Sequence, residues 1–543
     1  MLAKAETGNI TITGDTTGNN DVAINTVDGN ITVEGKVTAT NGNTTVVAKE
    51  NGNIQLTGDI TTAKNTTIST EKLGNINLTG NINTKGDTLF STNSGNIVVN
   101  KDRKDLNVNT GNNFTAKTID GDIILDGNIN STGVGRVETS TEGNININNF
   151  VAQNDLYITT ATGDIVGDNL ESTNGSVNIS STEKGKVTID DIKAGTTADI
   201  VTKDGDIDIT NLLANKKVNI STENGNITST GSLSSINDSM KVYSVKGDIK
   251  INDSYAKGEN RVTAKDGNIY IKKLNGDFVI VTLGNKDKEM KVEETIVGKG
   301  AIVSGNDITV DNLGQREGET VPVEITFNNS EDNKNAPISN IELHAKGIKN
   351  GVKVNRLWVH DANITTDSNI LQFPELVVTG KGFFANDSTT VSVYGEDSLF
   401  DGSNIHIWND ADKKEWITLN FLPQGNTVYT DGRLLKLQDG YNVYYQRITA
   451  KDYMIDHLDY LSMEHKLNEI RDPFNYLYNP YFQYNLIDNN IKIDNSLEVV
   501  ATEDDKIIIK EDGEVAEITI DPSMKVLEKD KDLITATLGE NSK

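Results

Sequence analysis

The sequence predicts an all-β protein. Residues 1–315 are expected to wind into a parallel β-helix, a solenoid of about 21 residues per coil, followed by an irregular β-rich C-terminal part containing one helix. Three observations predict this. A motif of Gly, then Asn or Asp, then Ile, then any residue, then an aliphatic recurs thirteen times between Gly8 and Gly267, at steps of 20 to 26 residues. Proline, which cannot donate to a β-ladder, first appears at Pro322. No unit of the repeat carries a helical period of apolar residues.

The motif reads Gly8-Asn9-Ile10-Thr11-Ile12 and Gly29-Asn30-Ile31-Thr32-Val33 in its first two copies, and the later ones start at Gly52, Gly74, Gly95, Gly121, Gly143, Gly163, Gly185, Gly205, Gly225, Gly247 and Gly267. The third position is Ile in twelve copies and Val187 in the other. The fifth is aliphatic except at Gly167 and Ser229. Apolar residues at alternate positions mark a strand with one buried face. A second aliphatic five or six residues before most glycines (Ile24, Val47, Ile68, Leu89, Val137, Ile158) marks another strand, and a short piece after the motif, such as Gly58-Asp59-Ile60-Thr61, marks a third. Three short strands per unit are therefore expected.

Such a unit cannot bury its apolar face alone, but stacked coils share one core. Ile then lies on Ile, each contributing roughly 1.5–3 kcal/mol when buried. The glycine supplies a tight turn. The Asn beside it suits left-handed conformations and can form amide ladders between coils. An antiparallel sandwich does not explain why one residue type returns at this period. Leucine-rich repeats need a Leu-based consensus.

Past the repeat the composition changes. Of 30 Phe, Tyr and Trp, 21 lie between Trp358 and Tyr484, and all five His follow residue 340. Residues 316–446 read as β-rich irregular coils or a C-terminal cap, with 316–340 as a loop carrying Pro322, Pro337 and a polar run from Asn328. Residues 447–486 hold a helix, roughly Asp452 to Ile470, in which Tyr460, Met463, Leu467 and Ile470 recur at helical spacing, and then a Tyr-rich stretch. Residues 487–543 form an acidic tail with 15 acids and 7 bases. There, Ile507-Ile508-Ile509 and Ile518-Thr519-Ile520 flank Asp512-Gly513 as in a hairpin.

Composition excludes several functions. The 543-residue chain has 51 Lys and Arg against 79 Asp and Glu, a net charge of −28. Nucleic acid and anionic lipid both need clustered cations. No stretch approaches the ~18 apolar residues of a membrane helix, and the start has no apolar run like a signal peptide's. Without Cys there is no disulfide scaffold, cysteine zinc site or thiol catalysis.

Candidate chemistry is sparse, and no catalytic, cofactor or metal residues are assigned. Asp190-Asp191, or Asp204, Asp206 and Asp208 on alternate positions, could supply paired carboxylates for a glycoside hydrolase or oxygens for Ca²⁺. A solvated strand face accounts for them more simply, since a chain with 79 acids produces such pairs by chance. The His residues are not spaced as a metal site. His457 and His465 lie two helical turns apart, and His360 and His406 stand alone. Trp358, Trp408, Trp416, Tyr429, Tyr441, Tyr444 and Tyr445 could form a recognition patch, since Tyr and Trp favour interfaces, or pack the C-terminal core.

The Gly-Asn-Ile runs resemble the filamentous haemagglutinin-like exoproteins of Gram-negative bacteria. Arg356-Leu357-Trp358-Val359-His360-Asp361-Ala362-Asn363-Ile364, Gly380-Lys381-Gly382-Phe383-Phe384 and the stretch from Thr430-Asp431-Gly432 to Tyr444-Tyr445-Gln446-Arg447 resemble the C-terminal part of leukotoxin-type filamentous adhesins. The resemblance implies two-partner secretion through an outer-membrane barrel, folding outside the cell into a right-handed β-helical fibre, and attachment to a host or bacterial cell-surface receptor or glycan. The family's N-terminal secretion domain has no counterpart here, so the chain is expected to be a C-terminal piece of a larger product. The expected function is a non-enzymatic secreted or surface adhesin segment without cofactor. A β-helical polysaccharide lyase or glycoside hydrolase, and a leukotoxin-like exotoxin segment, are the alternatives.

Overall fold

The computed structural model describes residues 1–355 and 357–368 in full and, beyond them, mainly the backbone of individual strands as far as Leu533–Leu538. Every element among the described residues is a β-strand. The expected helix at 452–470 lies outside them. The chain divides into two compact units, Met1–Lys288 and Glu289–Lys543.

The first unit is a parallel β-solenoid. Its motif isoleucines stack in one unbroken column. Ile10 pairs Ile31, and the series continues through Ile54, Ile76, Ile97, Ile123, Ile145, Ile165, Val187, Ile207, Ile227 and Ile249 to Ile269. From Ile31 onward none is more than 1% exposed. A second column runs through Ile24, Val46, Ile68, Phe90, Ala116, Val137 and Ile158. It passes through Val46 and Phe90, not through the expected Val47 and Leu89, which are only half-buried on the outer face. Strand parity decides this. Thr44, Val46 and Ala48 alternate inward, as do Thr88, Phe90 and Thr92, so the next residue along must point out.

Three strands per coil hold only at the start, as in Val22–Asp28, Ile31–Val33 and Val37–Ala39. From Ile123–Ser131 onward the second and third strands are one bent strand, for example Ile145–Ala152 and Ile165–Ser172. In early coils a glycine and a polar residue interrupt the ladder, as at Gly35-Lys36 and Gly58-Asp59. In Ile145–Ala152 and Ile165–Ser172 two successive outward residues, Asn148-Asn149 and Asp168-Asn169, turn the corner within the strand, as a bulge does.

The motif glycine is fixed by contact between coils. Gly29, Gly74, Gly95, Gly121, Gly143, Gly163, Gly185 and Gly247 adopt φ between +139° and +158°. At every motif glycine from Gly29 to Gly267, a Cβ would lie 1.8–2.3 Å from the carbonyl oxygen of the glycine in the coil beneath. No side chain fits there. Buried hydroxyls just upstream take up glycine carbonyls. Thr92 and Thr160 donate to Gly74 and Gly143 at 2.9 and 3.0 Å, and Thr222 and Ser244 to Gly205 and Gly225 at 3.0 Å.

The Asn or Asp after the glycine is an acceptor for backbone. Asn30 Oδ1 accepts the Asn53 N–H at 2.8 Å, Asn53 Oδ1 the Asn75 N–H at 2.8 Å, and Asn75 Oδ1 the Asn96 N–H at 2.7 Å. The series runs on through Asp122, Asn144 and Asp164. The expected amide ladder at this position is thus mainly a side-chain-to-backbone ladder, which explains why Asp and Asn are interchangeable. At Lys186 the ammonium group instead lies 2.5 Å from Asp208.

Aromatic packing fills one stretch of the core. Phe90, Phe114 and Phe150 stack edge to face with centroids 5.6 and 5.3 Å apart. Gly135 pairs with Phe114 in the ladder, and a Cβ there would sit 2.6 Å from Phe150 Cζ. The absent side chain is the space that the Phe150 ring occupies.

The second unit has its own inward columns. Met290, Ile308, Ile341 and Ala362 are successive partners, as are Val292, Val310, Leu343 and Ile364. The stretch 316–340, expected as a loop, contains Val323–Asn328 and the start of Ile338–Ala345, both paired in parallel. Lys381–Ala385, Thr390–Tyr394 and Asn404–Asn409 then pair antiparallel. In the tail, Lys506–Glu511 and Glu514–Thr519 form an antiparallel pair in which Glu511 faces Glu514, across Asp512-Gly513.

Ile145→Asp, an unpaired charge in the dry column, lowers the urea midpoint by an amount worth at least ~3 kcal/mol. Asn53→Asp stays within ~0.5 kcal/mol of the parent, whereas Asn53→Leu costs about 1 kcal/mol because the Asn75 N–H loses its acceptor. Gly135→Ala costs about 1–3 kcal/mol by overpacking against Phe150. In a double-mutant cycle, Gly135→Ala with Phe150→Leu costs less than the two single changes summed, and strict additivity would disprove the contact.

Candidate functional site

The third strands of the first unit present an outer column that runs through Thr38, Thr61, Asn83, Asn109, Asn130 and Val151, each paired with the next. Alternation puts these side chains outward while their neighbours Ala39, Thr62, Thr84, Thr110 and Ser131 are buried. The chain then turns through Thr40, Ala63, Lys85, Gly111, Thr132 and Gln153, whose positions form a second row. Between the rows lies an open groove of about 750 Å³.

The groove floor is tied to the core. The buried hydroxyls of Thr62, Thr84 and Thr110 lie 2.7, 2.7 and 2.9 Å from those of Thr44, Thr66 and Thr88. Ser131 Oγ donates to the Asn112 carbonyl at 2.7 Å. The turn row is held by backbone bonds between coils, Gly111 N–H to Thr84 O at 2.8 Å and Gln153 N–H to Ser131 O at 2.8 Å. Above the floor the carboxamides form a ladder. Asn109 Nδ2 donates to Asn83 Oδ1 at 2.9 Å, and Asn130 Nδ2 to Asn109 Oδ1 at 3.0 Å. A parallel ladder joins Asn107, Asn128, Asn149 and Asn169 on the same face. Lys85 is the single ionisable side chain in the groove lining.

Residues 136–280 match the family model described as Toastrack DUF4097. That segment covers the middle and later coils of the first unit and only the Val151–Thr173 end of the groove. No curated protein and no solved structure matches the chain.

The residues singled out from sequence are dispersed. Trp358 lies half-buried in Leu357–Thr366, paired with Val377. Trp408 and Tyr429 occupy strands that pair with each other, Asn404–Asn409 and Thr427–Thr430. Tyr444 and Tyr445 belong to a different sheet, opposite Leu437 and Lys436. Trp416 and Tyr441 lie outside the described residues. The described strands therefore do not bring these aromatics onto one sheet. The Asp series is also divided. Asp206 accepts the Asn226 N–H at 2.7 Å, Asp208 pairs with Lys186, and Asp204 is exposed. Among the described residues no group of three or more His, Asp or Glu is arranged to hold a metal ion. His344 is engaged by Thr365 at 2.6 Å and Glu342 at 3.2 Å, and His360 is exposed.

Charged contacts fix existing charges. Hydrogen bonds from Lys186 to Asp208, Lys104 to Asp168 and Lys203 to Glu183 raise these ammonium groups above their usual range. Burial, then Asp155, raises the Tyr157 phenol, over which Arg136 lies 4.8 Å from the ring centroid. Each shift moves a group further from titrating near neutrality. The groove escaped sequence reasoning because Thr and Asn are common everywhere in the repeat. Only the strand parity and the third-strand register place these particular residues side by side.

Proposed function

We propose that the chain is a non-enzymatic attachment segment of a secreted or surface-exposed filamentous adhesin, and that it holds its receptor through the groove on the third face. The groove's architecture carries this reading. Apart from Lys85, its polar side chains are hydroxyls and carboxamides, which form hydrogen bonds but do not exchange protons near neutral pH. They are tied between coils and to buried hydroxyls, so little ordering cost remains when a ligand binds. The repeat also presents a hydroxyl or a carboxamide at each coil from Thr38 to Asn130, which suits an extended partner. The Gly-Asn-Ile repeat and the Trp358-containing segment, with their likeness to filamentous exoproteins, support placing the chain outside the cell, exported through an outer-membrane barrel.

The test is attachment by the purified chain. Beads coated with it are expected to adhere to at least one of a panel of epithelial and bacterial cells, above beads coated with an unrelated acidic β-protein. Failure on every cell type, or sustained cleavage of pectin, alginate or glycosaminoglycan by the pure chain, would overturn the proposal.

A further inference from the structure

We infer that the groove takes an uncharged polysaccharide strand lying along the solenoid axis, with Asn83, Asn109 and Asn130 meeting successive sugar rings. This inference rests on the attachment reading and adds the ligand class to it.

The donor and acceptor count of the ladder points to this ligand. A carboxamide offers two N–H donors and two acceptor lone pairs. Asn109 spends one donor on Asn83 and one lone pair on Asn130. One donor and one acceptor remain, and Asn109 is exposed on the outer face. A sugar hydroxyl is itself both donor and acceptor, so a neighbouring pair of hydroxyls satisfies this edge in both directions. A carboxylate or sulfate offers acceptors only and leaves the amide oxygen facing another oxygen.

Spacing and charge agree. Register partners on adjacent coils are set about 4.8 Å apart by the ladder, comparable to the advance of one ring in an extended glycan. Thr38 and Thr61 continue the row with hydroxyls and methyls, and a methyl suits the C–H face of a sugar. An anionic polymer would find Lys85 alone in the lining and would approach a chain of net charge −28. The column leaves neutrality just beyond Val151, where its partner is Glu171, and Glu171 pairs with Lys193 at 3.0 Å. The uncharged stretch therefore spans the groove up to its last coil, that of Glu171 and Thr173.

The full-length chain is screened on immobilised neutral polymers (α- and β-glucans, mannan, galactan, chitin oligomers) and on uronate and sulfated polymers. Binding strengths are then compared between about 0.05 and 0.5 M salt. Saturable binding to a neutral polymer, unchanged by salt, is expected. Asn109→Ala should weaken it about tenfold, and Asn146→Ala, on the exposed second face, should leave it unchanged. Equal thermal midpoints for both variants establish that they are folded. Binding confined to anionic polymers and lost at high salt overturns the inference, as does indifference to Asn109→Ala, or a folded chain that binds no neutral polymer. If the chain still attaches to cells in those cases, the attachment reading survives with another ligand. If cell attachment is lost too, both fall.

Discussion

Close approach of coil to coil is the constraint on which the first unit depends. Parallel strands stack about 4.8 Å apart, and at one corner the glycine of each coil sits over the glycine carbonyl of the coil below. A Cβ at Gly185 would lie 1.8 Å from the Gly163 oxygen, well inside any allowed contact. That contact holds the corner tight enough for the next residue's side-chain oxygen to reach the following coil's N–H, as from Asn53 to Asn75 at 2.8 Å. The residue after that is then delivered inward as an isoleucine. The order Gly, Asn or Asp, Ile is thus a single mechanical unit. Steric clearance, an acceptor and an apolar group follow one another at adjacent positions, Lys186 being the copy without the acceptor.

Legibility of the sequence followed from how local each requirement was. The isoleucine column could be read directly because a fixed period and a fixed parity both act within five residues. The second column was misplaced at Val47 and Leu89. The inward position lies either five or six positions before the glycine, in no regular order, and either of two adjacent apolar residues satisfies the pattern. Only pairing of Val46 with Ile24 and Ile68 resolves it. The role of Asn was half legible. An αL or amide role fits Asn, but only the observed bond to backbone explains why Asp122 and Asp164 serve equally. The buried hydroxyls, such as Thr160 on Gly143, were invisible because Thr also suits an exposed strand face.

The candidate site was the least legible feature, for a related reason. Chemically distinctive residues drew attention to Trp358, Trp408 and the tyrosines, yet the strands distribute these among different pairings. The groove is assembled from common residues whose meaning comes from position. Asn83, Asn109 and Asn130 are separated by 26 and 21 residues. An excursion at Lys101–Asp105 lengthens the coil between them. The carboxamides nevertheless align, because the excursion lies at the corner before the third strand and is anchored outside the groove. Lys104 bonds Asp168 at 2.9 Å, and the Asp102 N–H bonds Asp126 at 2.8 Å. Length variation is absorbed at a corner, and the register of the face is preserved.

A solenoid whose coils contact mainly their neighbours makes stability nearly a sum of local terms. Surface and core can then vary separately. Replacing Asn83 by Thr61's residue type one coil away changes only the outer row, whereas Ile82 and Ile60 remain partners beneath. The core itself tolerates gaps when neighbours lean in. Gly167 interrupts the fifth-position column, and the space a Cβ would need is already closed to 3.0 Å by Ile189 and Leu170 methyls. The same independence explains how the outer column can stay uncharged from Thr38 to Val151 in a strongly acidic chain. Acids gather where they hold a ladder or pair a lysine, as Asp164, Asp208 and Glu171 do. The stretch from Asn83 to Asn130 keeps its order through carboxamide-to-carboxamide bonds, which need no charge. A surface built in this way is ordered without charge, and the fold allows its pattern of hydrogen-bonding groups to be altered one coil at a time.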